Sequence, residues 1–390
     1  MAGTSIDNFG TFVRSTGPAI FTGPQDIIND AVQTNYTFGH FLKGKNAAEV
    51  VQGGTKIQDT IFLNSEDVSQ MYDPNVDVTW SQVQPGTNYE RPWRFSLSYI
   101  SWTDHEIELQ AGSQFSNAFR KTKYKDIKFQ KEQNMWTGLF GFMDTQLWAD
   151  PYTNYTAMES SAGTAITSIP AYITEDTTNY HPYGWTNIMG IDPASESNWR
   201  NQVNTYDYDD PDDSNGDRDG LLDAFDLMQT KLSFAAPPKA RRYFEGGSKQ
   251  APATSNIKIF CSASGLQLYQ SLLRDSNDTL LKKTDSGYKN VTNYGHEVVY
   301  IANLDTAAIY NSQYADQAGV TEANDTYDGY RYWWINTDYL KVIFHSSRYF
   351  WRLDDFRLHN QPFTHVAVTD LWWNTFCCSR RRQGIVAPKA

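Results

Sequence analysis

Two segments within residues 47–111 alternate between apolar and polar positions. In "KIQDTIFL", Ile57, Asp59, Ile61 and Leu63 share one side. In "WRFSLSYISW", Trp93, Phe95, Leu97 and Tyr99 fall on one side and Arg94, Ser96 and Ser98 on the other. A period of two sustained over such lengths predicts β-strands. The polar stretch between them, "YDPNVDVTWSQVQPGTNYERP", has turn residues at both ends, so the pair reads as one long hairpin. A lone hairpin has too little core to be stable. It is expected to lean on another surface.

The period then changes. Phe115, Phe119, Ile127, Trp136, Leu139, Phe140, Met143 and Leu147 recur mostly three and four residues apart, which predicts a helix from 112 to about 148. That length exceeds an ordinary globular helix. Ahead of the hairpin, residues 1–46 are punctuated by Gly and Pro ("STGPAIFTGPQD") and read as an arm, with one short helical stretch from Pro24 to about Phe41.

Composition shifts after the long helix. From Asp150 to Asp217 there are twelve acidic residues and one basic residue, Arg200, in a stretch rich in Tyr, Asn, Thr and Ser. It reads as a loop-rich insertion with short strands. A helix resumes near Gly220, with Leu221, Leu222, Phe225, Leu227 and Met228, and runs to Lys231. "IKIFCS" predicts a buried strand, "SGLQLYQSLL" a helix with Leu266, Tyr269, Leu272 and Leu273 on one face, and "HEVVYIANL" another strand. That order predicts a mixed α/β part. The C-terminal stretches, "YRYWWINTDYLKVIFHSSRYFWRLDDFRLH" and "HVAVTDLWW", are aromatic and β-branched and read as extended. The expected fold class is α+β.

The 390 residues allow a sizeable core, in one large domain or two to three smaller ones. Aromatics make up 15%, including 24 Tyr and 12 Trp, a supply that suits extensive interfaces as well as cores. No run approaches the roughly 20 apolar residues that span a bilayer. The opening stretch has no basic region followed by an apolar run, so no secretory signal is expected. Cys377 and Cys378 are adjacent and Cys261 is remote, so neither a disulfide framework nor a zinc site is expected, and a reducing compartment fits. The Asn-x-Thr triplets at Asn35, Asn154, Asn277, Asn290 and Asn324 then read as chance matches. The net charge of −12 argues against a nucleic-acid reader, because such binding rests on neutralising phosphates. It is compatible with enclosing nucleic acid without gripping it.

Catalytic signatures are missing. The chain has no GxSxG, GxxxxGK[ST], GxGxxG or HExxH. The seven histidines are scattered, and His345, His359 and His365, near strands, read as structural. The Cys377–Cys378 pair precedes "SRRR"; a low-pKa thiolate beside the arginines is one reading, and an idle buried thiol is the favoured one. The basic cluster Arg120, Lys121, Lys123, Lys125, Lys128 and Lys131 reads first as a solvated face and second as a DNA-facing strip. "NGDRDGLLDAFD" is close to a calcium loop, with Asn215, Asp217, Asp219, Asp223 and Asp226 at side-chain ligand positions and Gly220 at the turn. Asn at the first place and Asp at the twelfth weaken that reading. The favoured alternative is that Asp217 and Asp219 cap a helix beginning near Gly220.

The order of elements resembles the HK97-like major capsid proteins of tailed bacteriophages: an arm, a long hairpin, one very long helix, an α/β part, and a return through aromatic-rich strands. The resemblance covers nearly the whole chain and implies an N-terminal arm at 1–46 and an E-loop at 47–111, with "IQDTIFL" and "WRFSLSYI" as its strands. It implies a P-domain spine helix at 112–149, an A-domain at 150–338, and return strands to the P-domain at 339–390. The implied function is self-assembly into pentamers and hexamers of an icosahedral shell around double-stranded DNA, without catalysis or cofactor. Scaffolding, portal and decoration proteins are implied partners, the virion the implied location and the host cytoplasm the implied place of assembly. No position matches the Lys and Asn that crosslink some family members. Two other readings stand beside it. One is a calcium-dependent carbohydrate-binding or glycan-degrading protein, suggested by the Trp and Tyr richness, the acidic stretch and the 215–226 loop. The other is an encapsulin-like compartment that holds enzyme cargo.

Overall fold

A computed structural model of the chain describes residues 37–43, 48–61, 63, 86–106, 117–151, 154–160, 163–182, 184–212, 220–232, 256–275, 281–283, 289–305, 330–358 and 360–389. Strands β1 to β7 are Ala48–Val51, Lys56–Ile61, Thr87–Pro92, Arg94–Thr103, Gln202–Tyr206, Ile257–Cys261 and Leu281–Lys283. Strands β8 to β14 are Lys289–Asn293, His296–Tyr300, Tyr332–Asn336, Leu340–His345, Trp351–Leu358, Gln361–Cys377 and Gly384–Pro388. Helices α1 to α6 are Thr37–Lys43, Asn117–Leu147, Tyr155–Glu159, Ile169–Tyr172, Leu221–Leu232 and Ala263–Asp275. The chain is α+β with mixed sheets.

The chain divides into two compact units. The larger takes in Asn35–Ser98, Phe140–Arg352 and Thr369–Ala390. It holds a seven-stranded sheet in the order β5-β14-β10-β6-β9-β8-β7. β6 and β9 are parallel and α6 lies between them in sequence, a strand–helix–strand crossover. Every residue of β10 is buried, so both faces of the sheet are covered there. On one face α5 and α6 bring Phe225, Met228 and Tyr269 against Tyr332 and Trp334. The Phe225 ring sits 4.9 Å from Tyr332 and 5.3 Å from Trp334, edge-on to both. On the other face Trp333 meets Trp148 edge-on at 5.4 Å. The apolar spacing in α5 is therefore satisfied by one sheet face.

The smaller unit takes in the described parts of Tyr99–Leu139 and Leu353–Val368. Its core is Ile100, Trp102, Met135 and Ala367, with Trp136 packed on it. Trp102 lies flat against His365, with ring centroids 5.9 Å apart.

One expectation changes. The strand "KIQDTI" (β2) pairs antiparallel with "TNYERP" (β3), with Ile57 opposite Arg91 and Asp59 opposite Tyr89. The alternating "RFSLSYISWT" (β4) pairs instead with β13, in a sheet ordered β1-β11-β13-β12. Pro92 has no N–H to offer a ladder, and β3 ends there. Alternation shows which side chains share a face; it does not name the partner strand. The acidic stretch is largely irregular, yet much of it is buried. It contributes two short helices and β5, and it buries Met158, Ile169, Tyr172, Trp185, Ile188 and Trp199. The long helix is described from Asn117, and the part of the short N-terminal helix expected before residue 37 lies outside the described residues.

Candidate interaction surfaces

β4 turns its apolar side outward. Phe95 is 64% exposed and Leu97 63%, whereas Arg94 between β3 and Phe95 is 1% exposed. The reason lies beneath the strand. Arg94 donates to the carbonyl oxygens of Gly163 at 2.6 Å, Met158 at 2.6 Å and Ser160 at 2.8 Å, which replace its water shell. The next inward residue, Ser96, accepts the indole N–H of the fully buried Trp373 at 2.8 Å. The large side chain under β4 thus comes from β13, and β4 supplies the polar complement.

The outward side continues the aromatic texture. Trp372 of β13 meets Phe95 edge-on at 4.9 Å and His345 at 5.2 Å. The Arg348 guanidinium lies 4.1 Å over the Trp351 ring and 5.7 Å over Trp372, and its charge faces Asp370 at 3.6 Å. Tyr349 and Trp351 are exposed. Exposed aromatics grouped with an arginine have the composition of a protein–protein contact. The smaller unit has its own exposed apolar side chains, Tyr99, Leu353 and Phe363.

The β2–β3 hairpin buries little. Ile57, Tyr89 and Arg91 are its buried side chains. Tyr89 stacks on Phe376 at 5.0 Å, and Arg91 pairs with Glu159. The remaining cross-strand contacts, Lys56–Glu90 and Thr60–Asn88, are solvent-exposed and contribute little. Just past β2, Leu63 is buried and its carbonyl accepts from the Asn198 amide at 2.7 Å.

The residues singled out from sequence are placed as follows. Asn215, Asp217 and Asp219 lie outside the described residues. Asp223 and Asp226 are exposed on α5, three residues apart. The Tyr294 hydroxyl bonds to Asp226, which raises the tyrosine pKa. The helix begins at Leu221, whose N–H donates to the Pro211 carbonyl at 3.0 Å. Among the described residues no three His, Cys, Asp or Glu side chains gather as a metal site. The side chains of Arg120, Lys121, Lys123 and Lys125 lie outside the described residues. Lys128 sits 5.6 Å over Trp102, and Lys131 pairs with Glu106 at 2.7 Å. His365 bonds Asp104 at 3.1 Å, and His345 bonds Ser347. Burial pushes the Cys377 thiol up to about 12 and raises Cys378 and Cys261 as well. Sequence reasoning missed the bare side of β4 because it expects an apolar face to be the covered one.

No protein-family model matches the chain, and neither does any curated protein. Three solved structures similar to it are a cyanophage A-1(L) capsid asymmetric unit, the bacteriophage PhiM1 mature capsid, and the holo-SrpI encapsulin complex from Synechococcus elongatus PCC 7942. The first is 11% identical, with 96% of this chain and 98% of that one covered and a TM-score of 0.49. The second is 11% identical, with 95% and 91% covered and a TM-score of 0.48. The third is 7% identical, with 97% and 94% covered and a TM-score of 0.43.

Proposed function

We propose that this chain is a major capsid protein with the HK97-like fold, a structural protein that self-assembles into pentamers and hexamers of an icosahedral shell around double-stranded DNA. The observation that carries the reading is the outward face of β4, where Phe95 and Leu97 stand bare beside Trp372, Trp351 and Arg348. Burying such a face against another copy is favoured by the apolar area removed from water. A hairpin whose described strands bury only Ile57, Tyr89 and Arg91 fits the same role, as an E-loop lying on a neighbour. The element order agrees: the expected long helix is present over Asn117–Leu147, and the β6–α6–β9 crossover follows it.

On this reading residues 1–46 form the arm, 47–111 the E-loop region, 112–149 the spine, 150–338 the A-domain and 339–390 the return. The net charge of −12 keeps enclosed DNA from adhering to the wall, with local basic side chains of α2 as the exception. Scaffolding, portal and decoration proteins are the further partners, and assembly takes place in the host cytoplasm before the protein resides in the virion. Electron microscopy of the purified protein tests the proposal. Closed particles with five- and six-fold clusters support it. A compact monomer at high concentration sinks it, and particles filled with enzyme cargo instead of DNA transfer the chain to the encapsulin reading.

A further inference from the structure

A cavity of about 320 Å³ opens in the larger unit, lined by Arg200, Lys231 and Arg381 together with Tyr180, Thr177 and Asn198. Among the described residues no carboxylate lines it. Three separate elements deliver the cations. Lys231 ends α5, Arg200 precedes β5, and Arg381 sits in the turn Arg380–Arg382 before β14. The parallel register of β5 and β14, with Gln202 beside Gly384, brings Arg200 and Arg381 to the same end of the sheet.

Among the described residues, Arg200 and Lys231 are held in place by uncharged oxygens. Arg200 donates through Nε to the Pro193 carbonyl at 2.8 Å and through Nη2 to the Ala194 carbonyl at 2.6 Å. Its plane is fixed 4.7 Å over the Tyr180 ring, and Nη1 donates to none of the described residues. Lys231 donates to the Val203 carbonyl at 3.0 Å and to Asn204 Oδ1, which leaves one ammonium N–H over. Arg381 is oriented by Asn198 Oδ1 at 2.8 Å.

A fourth cation stands behind the lining. Arg380 is fully buried, and its partners are the carbonyls of Tyr172, Trp199 and Tyr180 and the Asn201 side-chain oxygen. Burial lowers its pKa to about 9, which leaves it charged at neutral pH. Removing a charge from water without a counter-charge is costly. Arg380, Arg200 and Lys231 are all held by neutral oxygens alone, in a chain whose net charge is −12. Among the described residues, no carboxylate at the cavity lining offsets the field of these cations.

We propose that this cavity is a binding site for a small phosphate-class oxyanion, mono- or diphosphate in size. Guanidinium forks match tetrahedral oxyanions, and an ammonium adds a point charge beside them. The volume is at the small end of ligand pockets, which suits a compact anion. The site does not depend on shell assembly, so its test and the micrograph are separate.

The test is calorimetric titration of the purified full chain with sodium pyrophosphate and with inorganic phosphate, against sodium chloride at matched ionic strength. Saturable 1:1 binding is expected. Thr177 is an exposed lining residue, so Thr177→Glu adds a competing carboxylate at the rim without disturbing the core. Thr177→Glu and Arg381→Gln should each weaken binding roughly tenfold or more while Thr177→Glu keeps the parent melting temperature. Absence of saturable binding to either anion overturns the proposal, as does unchanged affinity in Thr177→Glu. A short single-stranded DNA added as a third probe must not be the only binder; if it is, a polymer track replaces the small-anion site and the proposal fails.

Discussion

Trp373 donates its indole N–H to Ser96 Oγ at 2.8 Å, from the covered side of a strand whose other side leaves Phe95 bare. The two halves of that relationship separate folding from assembly. Residues on the covered side hold the unit together, and on the bare side Phe95 gives up only an edge contact with Trp372.

Replacing Phe95 and Leu97 together with Ser should therefore leave the subunit folded. Surface substitutions of this kind change stability by about 0.5 kcal/mol or less. Particle formation should fall sharply, read by sedimentation and by micrographs. Wild-type particle yield from the double variant would remove β4 from the contact.

Ser96→Ala should act in the opposite sense. It strands the indole N–H of a fully buried tryptophan, at a cost of roughly 1–3 kcal/mol. Urea unfolding of the subunit measures it. A loss within experimental error would mean that Trp373 finds another acceptor and that the hydroxyl does not decide which face of β4 turns inward.

Arg380→Met should be the most damaging of the single changes. Three carbonyls and the Asn201 amide oxygen lose their donors at once, in a fully buried site. The expected loss is on the order of 3 kcal/mol, because each buried acceptor left without a donor costs roughly 1–3 kcal/mol, offset by the burial cost that the charge no longer incurs. Methionine fills part of the volume, so a loss near 1 kcal/mol in denaturant titration would show that the network contributes little.

These residues also show what was legible in the chain. The long helix, β6, α6 and β9 could be read because their periodicity is local. The partner of β4 could not, because its inward side depends on carbonyls at Met158, Ser160 and Gly163 and on an indole at Trp373, far along the chain. An arginine at an inward strand position reads as exposed until those oxygens are in place. The cavity was equally hidden. Arg200 looked like a lone base in an acidic stretch, and only the pairing of β5 with β14 sets it beside Arg381. The 215–226 loop stood out in sequence, yet only Asp223 and Asp226 of its candidate ligands lie within the described residues.

Calcium should not stabilise the subunit. Asp226 shares its carboxylate with the Tyr294 hydroxyl, and an aspartate is too short to replace the usual bidentate glutamate at the last position of such a loop. Thermal unfolding in calcium and in chelator should coincide, and Asp223→Asn should not shift it. A calcium-dependent rise in melting temperature that Asp223→Asn abolishes would restore the metal reading.

Asp144 should make stability depend on pH between about 4 and 6. It is buried in α2, and it accepts the Phe38 N–H at 3.1 Å and the Asn303 amide, tying α1 and the Ala302–Asp305 turn to the helix. Burial raises its pKa from 3.8 to about 6, against the opposing effect of those hydrogen bonds. The folded state thus holds this proton more tightly than the unfolded chain does. The stability from the protonated form is fully present below 3.8 and is lost as pH rises through about 6. At about 1.4 kcal/mol per pKa unit, the difference across that window is on the order of 3 kcal/mol. Asp144→Asn keeps an acceptor for Phe38 and carries no proton to lose, and the Asn303 amide can turn to meet it. Relative to the variant, the parent should lose stability as pH rises from 4 to 6 and run parallel to it above 7, in paired denaturant titrations. Curves that stay parallel throughout would mean that Asp144 titrates normally and that its hydrogen bonds outweigh its burial.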